Sequence, residues 1–108
     1  MNNRESDPQL DKVIHERGRL MILTYLASAE DLKASFTELR NELGFTAGNL
    51  SVQLKKLEEA GLVKIEKSFV DNKPYTEVQL TPDGEGALQN YVEEMERLII
   101  RLKKLSTQ

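Results

Sequence analysis

The sequence contains no cysteine and no tryptophan, a single histidine, three prolines, three phenylalanines and three tyrosines. Without cysteine there are no disulfides, no thiolate metal sites, no thiol redox sensing and no cysteine nucleophile. A reducing compartment fits this composition, and a cytoplasmic location is expected. The one imidazole, His15, has only carboxylates such as Asp11 and Glu16 beside it in sequence, which is weak zinc chemistry, so no metal is expected. No stretch approaches 18 consecutive apolar residues, so no membrane-spanning helix is expected. The opening "MNNRESDPQ" also lacks the apolar run of a secretory signal. An excess of basic charge is missing too: 15 Lys and Arg stand against 18 Asp and Glu, a net charge of −3. A strongly basic balance is the usual electrostatic footprint of a nucleic-acid partner, so its absence counts against one. No glycine-rich phosphate loop occurs, and no serine or lysine has a recognisable base partner. The adjacent acids Glu58 and Glu59, and Glu93 and Glu94, point to different sides of their helices. No catalytic residue and no cofactor are therefore expected.

What remains is a single domain's worth of chain, 108 residues with 39% hydrophobic and 31% charged content, enough for one modest core. From Leu10 to Leu26 apolar residues recur at three- and four-residue steps, which predicts a first helix with a break near Gly18. "SAEDLKAS" reads as a loop. In "FTELRNELG", Ser35 or Thr37 can cap a short helix that Gly44 closes. Thr46 then caps a third helix from Ala47 to about Ala60, ended by Gly61. Two short helices joined by about three residues form a helix-turn-helix pattern. Alternation at Val63, Ile65 and Phe69, and again at Thr76, Val78 and Leu80, predicts a hairpin with a tip of about five residues, "VDNKP". Thr81 and Pro82 open a last helix. Along it Leu88, Tyr91, Met95, Leu98, Leu102 and Leu105, widened by Val92 and Ile99, form a long apolar stripe that suits a dimer seam. A membrane-surface role for the basic, amphipathic "RLIIRLKKL" is the weaker alternative.

The third helix is chemically polarised along its axis. Leu50, Leu54 and Leu57 face the core. The opposite face begins with uncharged residues and acquires charge only at Lys55, Lys56 and Glu59. Ala47 and Gly48 permit close approach to another surface, although glycine costs about 1 kcal/mol relative to alanine inside a helix. Asn49 and Gln53 can donate and accept at base edges, and Val52 can meet a thymine methyl. Thr46, Ser51, Lys55 and Lys56 are placed to contact phosphates. A solvated amphipathic helix explains the lysines equally well; it does not explain Gly48.

The order of elements, together with "RLMILTYL" (Arg19 to Leu26), "FTELRNELGFTAGNLSVQLKKLEEAGLV" (Phe36 to Val63), "PYT" (Pro74 to Thr76) and "LTPDGEGAL" (Leu80 to Leu88), resembles the winged helix-turn-helix transcriptional regulators related to the MarR and ArsR families. The resemblance runs from about Leu10 to Ile99. It implies an α+β, mostly helical fold with a two-stranded wing and a long C-terminal dimerisation helix. Residues 1–9 would be a flexible N-terminus, 10–81 the DNA-binding domain, 82–105 the dimerisation helix and 106–108 a tail. It further implies a recognition helix reading double-stranded DNA through Ala47, Gly48, Asn49, Val52 and Gln53, and a wing whose Lys67 and Lys73 touch the backbone. The homodimer would be held by Leu88, Tyr91, Val92, Met95, Leu98, Ile99, Leu102 and Leu105. Val52 and Gln53 stand where such regulators usually carry basic residues or histidine, and the wing tip is less basic than usual. A winged helix used for protein contact is the competing expectation. Any small-molecule effector is expected at the seam between the first and last helices, where apolar faces meet.

Overall fold

A computed structural model describes residues 10–106. The expected flexible N-terminus, 1–9, and residues 107 and 108 of the expected tail lie outside the described residues, whereas Ser106 belongs to the last helix. The elements follow in the order α1 (Arg17–Ser28), a 3-10 turn (Glu30–Leu32), β1 (Lys33–Ser35), α2 (Phe36–Leu43), α3 (Ala47–Glu59), β2 (Val63–Val70), β3 (Lys73–Leu80) and α4 (Pro82–Ser106). This is the α+β winged helix expected from the resemblance, with three corrections.

The first correction concerns residues 10–16, which the apolar spacing assigns to a helix. They form a single capped turn instead: His15 N–H donates to the Asp11 carbonyl at 2.7 Å, and the backbone then extends at Glu16 (φ −151°, ψ 132°), which stops the turn before α1 begins. The Asp11 carboxylate accepts from the N–H of Val13 (2.8 Å) and of Ile14 (3.2 Å). Glu16 then accepts from the N–H of Arg19 at 2.8 Å and caps α1. The turn still buries Ile14 completely, so the three- and four-residue spacing reported burial correctly and conformation wrongly.

The second correction concerns "SAEDLKAS", which contains a strand. β1 pairs antiparallel with β3, Lys33 opposite Gln79 and Ser35 opposite Glu77, giving a three-stranded sheet in the order β1-β3-β2. Its only apolar residue, Ala34, is buried. The third correction is the wing tip, which is a two-residue turn at Asp71 (φ 53°) and Asn72 (φ 65°) rather than five residues. Two successive positive φ values match the right-handed twist of a hairpin, and Asp and Asn tolerate them. Pro74 fits within β3 because β1 covers only its far end, at Glu77 to Gln79, leaving the missing donor on an open edge.

The core joins α1 (Ile22, Leu23, Leu26), α2 (Leu39), α3 (Leu50, Leu54, Leu57) and the sheet (Val63, Val78, Leu80), with Tyr91 inserted from α4. Ser35 and Thr46 cap α2 and α3 by accepting from Glu38 N–H at 3.0 Å and Asn49 N–H at 3.1 Å. Gly44, at φ 75°, ends α2 in the left-handed region that only glycine enters freely. Thr81 caps α4 through its hydroxyl, which accepts from Gly84 N–H at 2.9 Å, with Pro82 in the first helical position. Gly84 is required for close approach: a Cβ there would lie 2.2 Å from the Leu62 carbonyl oxygen. α4 runs 25 residues, roughly 37 Å at 1.5 Å per residue. All of its residues from Ile99 onward are exposed.

Candidate nucleic-acid interface

The Thr46 cap fixes where α3 starts, and the three buried leucines fix which face turns outward. Ala47, Gly48, Asn49, Ser51, Val52, Lys55 and Lys56 are all exposed, Val52 by 52%. A Cβ on Gly48 would meet nothing within 4 Å, so its surroundings are open. The first two turns of this face carry no charge. Among the described residues no ion pair involves Lys55, Lys56, Lys67 or Lys73, whereas Lys33 pairs with Glu77 (3.8 Å) and Lys64 with Glu66 (3.6 Å). The lysines at the expected contact positions thus keep their full charge for an external partner.

Helix and wing meet at a groove of about 730 Å³ lined by Phe36, Ser51, Leu54, Lys55, Ile65 and Lys67, among others. The structure therefore brings Ser51 and Lys55 of α3 together with Lys67 of β2. Lys73 is exposed at the far end of the wing, beside the tip turn. The tip carries open apolar side chains on both faces of the hairpin: Phe69, 75% exposed, on one, and Val70 and Tyr75 on the other.

Two expected base-reading residues differ in availability. Asn49 is exposed, while Gln53 is half-buried. The Gln53 carbonyl accepts from Arg19 Nη1 at 2.8 Å and its amide nitrogen donates to Asn49 Oδ1 at 3.3 Å. Arg19 carries no signal in its local sequence, since a basic residue early in a helix is ordinarily solvated; only the tertiary fold brings it to α3. Thr46, expected at a phosphate, caps α3 by accepting from the Asn49 N–H at 3.1 Å, which leaves its own O–H to donate outward.

The stripe on α4 divides in two. Tyr91 is buried in the protomer's own core, with its hydroxyl 2.8 Å from His15 Nδ1, and Leu88 and Met95 are half-buried against that core. Tyr91 therefore lies outside the open part of the stripe: His15 of the N-terminal turn gives its hydroxyl a polar partner and sets a tilted ring 5.9 Å from its own. Val92, Ile99, Leu102 and Leu105 remain exposed, Leu102 by 57% and Leu105 by 67%, with Leu98 half-buried beside them. Along the seam between the N-terminal turn and α4 lies a polar cavity of about 420 Å³ lined by Asp11, Ala87, Asn90, Tyr91, Glu94 and Arg97.

On the other side of α1, the Tyr25 hydroxyl donates to the Glu38 carboxylate. That hydrogen bond, reinforced by desolvation and by the negative charges of Glu38 and Glu42, pushes the phenol up to about 12. No helix among the described residues is long and apolar enough to cross a membrane.

Comparison with known proteins matches residues 19–99 to the family of the winged helix DNA-binding domain. The chain is 36% identical over 87 residues to an uncharacterized protein of Methanocaldococcus jannaschii, covering 81% of this chain and 92% of that one. Among solved structures it resembles a transcriptional regulator homologue from Pyrococcus horikoshii, at 30% identity and a TM-score of 0.75 over 83% of this chain and 87% of that one. It shares the fold of a MarR family transcriptional regulator from Streptomyces coelicolor solved in complex with DNA, at 20% identity and a TM-score of 0.66 over 90% of this chain and 72% of that one.

Proposed function

The chain belongs to the winged helix DNA-binding domain family, and from that premise we propose that it is a homodimeric regulator of transcription that reads a pseudo-palindromic operator in double-stranded DNA. One observation carries the reading: the outward face of α3 is open and uncharged over its first two turns and then presents Lys55 and Lys56, which make no ion pair among the described residues. Small and amide residues approach base edges, lysines grip the phosphates that flank them, and this polarity suits a helix entering the major groove by its N-terminus. Lys67, on the same groove as Lys55, extends the grip onto the wing. Residues 10–81 serve as the reading unit and 82–105 as the dimerisation helix. There the exposed Val92, Ile99, Leu102 and Leu105 give a second copy of α4 an apolar seam that one protomer leaves open to water. Pairing two reading heads in this way places half-site centres about 10 bp apart or a multiple of that.

Selection of bound DNA from a random library tests binding, palindromy and spacing together. An enriched two-fold symmetric motif is the expected result, and a single asymmetric half-site would count against the dimer geometry. A second reading, a winged helix that docks on another protein, is favoured by the exposed Phe69, Val70 and Tyr75 at the wing tip and by the net charge of −3. Gel shifts with mixed genomic fragments at two salt concentrations separate the two. Failure to bind at low salt as well as high would leave the protein-contact reading standing.

A further inference from the structure

Arg19, the third residue of α1, has a side chain only 12% exposed. Its Nε donates to the Val13 carbonyl at 2.6 Å and its Nη1 to Gln53 Oε1 at 2.8 Å. The carboxylate of Glu16 lies 4.0 Å from the same Nη1. A guanidinium has donors and no acceptor, so the amide atom facing it must be the oxygen of Gln53. The Gln53 nitrogen then turns the other way, toward Asn49. Because an amide NH2 only donates, Asn49 has to meet it with Oδ1, as it does at 3.3 Å. The direction of every group in the chain Val13, Arg19, Gln53, Asn49 is thus set by chemistry starting from one cation held mostly out of water. Asn49 Nδ2 has no described partner and sits on an exposed residue.

We propose that Arg19 is a positioning residue for base reading, and that it biases the start of α3 toward donating hydrogen bonds. This rests on the reading that α3 enters the major groove. A bidentate contact to adenine needs a carbonyl and an NH2 from the same side chain. Arg19 occupies the carbonyl of Gln53, and Gln53 in turn draws on that of Asn49, so what these two amides chiefly offer is N–H. Guanine, with acceptors at both N7 and O6, fits that offer better than adenine, whose N6 amino group requires an acceptor. Removing the guanidinium frees Gln53 to rotate and present its oxygen.

The test is random-library selection with the wild type, Arg19→Met and Arg19→Lys, followed by competition between duplexes differing by a single G-to-A change at the base pair nearest Asn49. The wild type is expected to favour guanine there about tenfold, within the range of one good base contact. Arg19→Met is expected to bring the two within about threefold while half-site spacing, the other positions and the salt slope stay as they are. Arg19→Lys, which keeps one cationic donor for Gln53, should restore part of the preference. An adenine preference in the wild type, an unchanged guanine preference in Arg19→Met, or an equal loss at every position would each overturn the proposal, the last reducing Arg19 to a packing role. A readout without DNA keeps the two levels distinct. In the free protein the Gln53 side-chain NH2 resonances should move toward those of solvent-exposed glutamines in Arg19→Met, and unmoved resonances refute the relay itself. If they move but the wild type enriches no motif, the DNA reading falls, and the base assignment with it.

Discussion

Two glycines of α4, two residues apart, are expected to respond to alanine in opposite directions. An ideal Cβ on Gly84 would stand 2.2 Å from the Leu62 carbonyl oxygen and 2.7 Å from Leu80 Cδ1, while one on Gly86 would meet nothing within 4 Å. The Leu62 oxygen has no freedom to retreat, because it accepts from the Thr81 backbone N–H at 3.1 Å and shares the Thr81 hydroxyl, at 3.0 Å, with the Gly61 carbonyl at 2.8 Å. Gly84→Ala therefore pushes α4 off the junction between α3 and β2. Overpacking of this kind costs about 1–3 kcal/mol, and weakening two hydrogen bonds about 1 kcal/mol each. Alanine's better helix propensity returns about 1 kcal/mol. The net loss is about 2–4 kcal/mol, a fall in Tm of roughly 10–30 °C for a domain of this size. Gly86→Ala has only the propensity gain and should raise Tm by a few degrees. Thermal melts followed by far-ultraviolet circular dichroism at one fixed protomer concentration measure both. A Gly84→Ala protein that melts within a few degrees of the wild type would refute the argument that this junction tolerates no side chain. So would a Gly86→Ala protein that falls alongside it.

The double change Lys55→Ala with Lys56→Ala should weaken binding to all sequences alike and flatten the salt dependence by about two units per protomer, at about 0.9 per lost phosphate contact; unchanged affinity at low salt removes these lysines from the phosphate grip. Asn49→Ala should instead relax sequence choice at one base pair by about 1–3 kcal/mol with the salt slope intact, and a uniform loss across operators would reassign it to positioning. Replacing Ile99 and Leu102 together by glutamate puts charge into the open stripe of α4 and should weaken self-association at least about a hundredfold, read by sedimentation; a variant that sediments like the wild type moves the dimer contact elsewhere. Tyr25 is held protonated by its hydrogen bond to Glu38 and by the nearby acids, with its phenol pushed up to about 12. Because its folded value lies above the ordinary value of about 10, the stabilisation is fully present below about pH 10 and is lost as the pH rises toward 12. Ultraviolet titration should show a late tyrosine component in the wild type that Glu38→Ala removes; a titration curve that Glu38→Ala leaves unchanged would contradict the contact.

The core and its periodicity were readable along the chain because burial imposes spacing directly on sequence. Leu50, Leu54 and Leu57 on α3, and Val63, Val78 and Leu80 on the strands, are buried where the patterns put them. The caps at Ser35, Thr46 and Thr81 were readable for a similar reason, since a cap satisfies donors within three residues. Features that depend on distant partners were not. β1 is three residues long with one small apolar side chain and exists only because β3 offers it an edge. Residues 10–16 carry a helical spacing, yet the turn that Asp11 caps stops at Glu16, whose extended backbone starts α1 afresh. The same limit applies at the site. Asn49 and Gln53 look alike in the sequence as amides on one outward flank, but one is open and the other is tied to Arg19 across 34 positions of chain.

By itself, then, the sequence determined that α3 has an uncharged start and a lysine-bearing middle, that a hairpin follows, and that a long apolar helix closes the chain. These are matters of local order and period. Only the tertiary structure decided which of those residues remain available. Packing against the N-terminal turn withdrew Tyr91 from the open stripe, and Arg19 of α1 fixed the direction of the Gln53 amide, because a hydrogen-bonding group's free valence is set by what surrounds it in space, and neighbours in sequence do not reveal that.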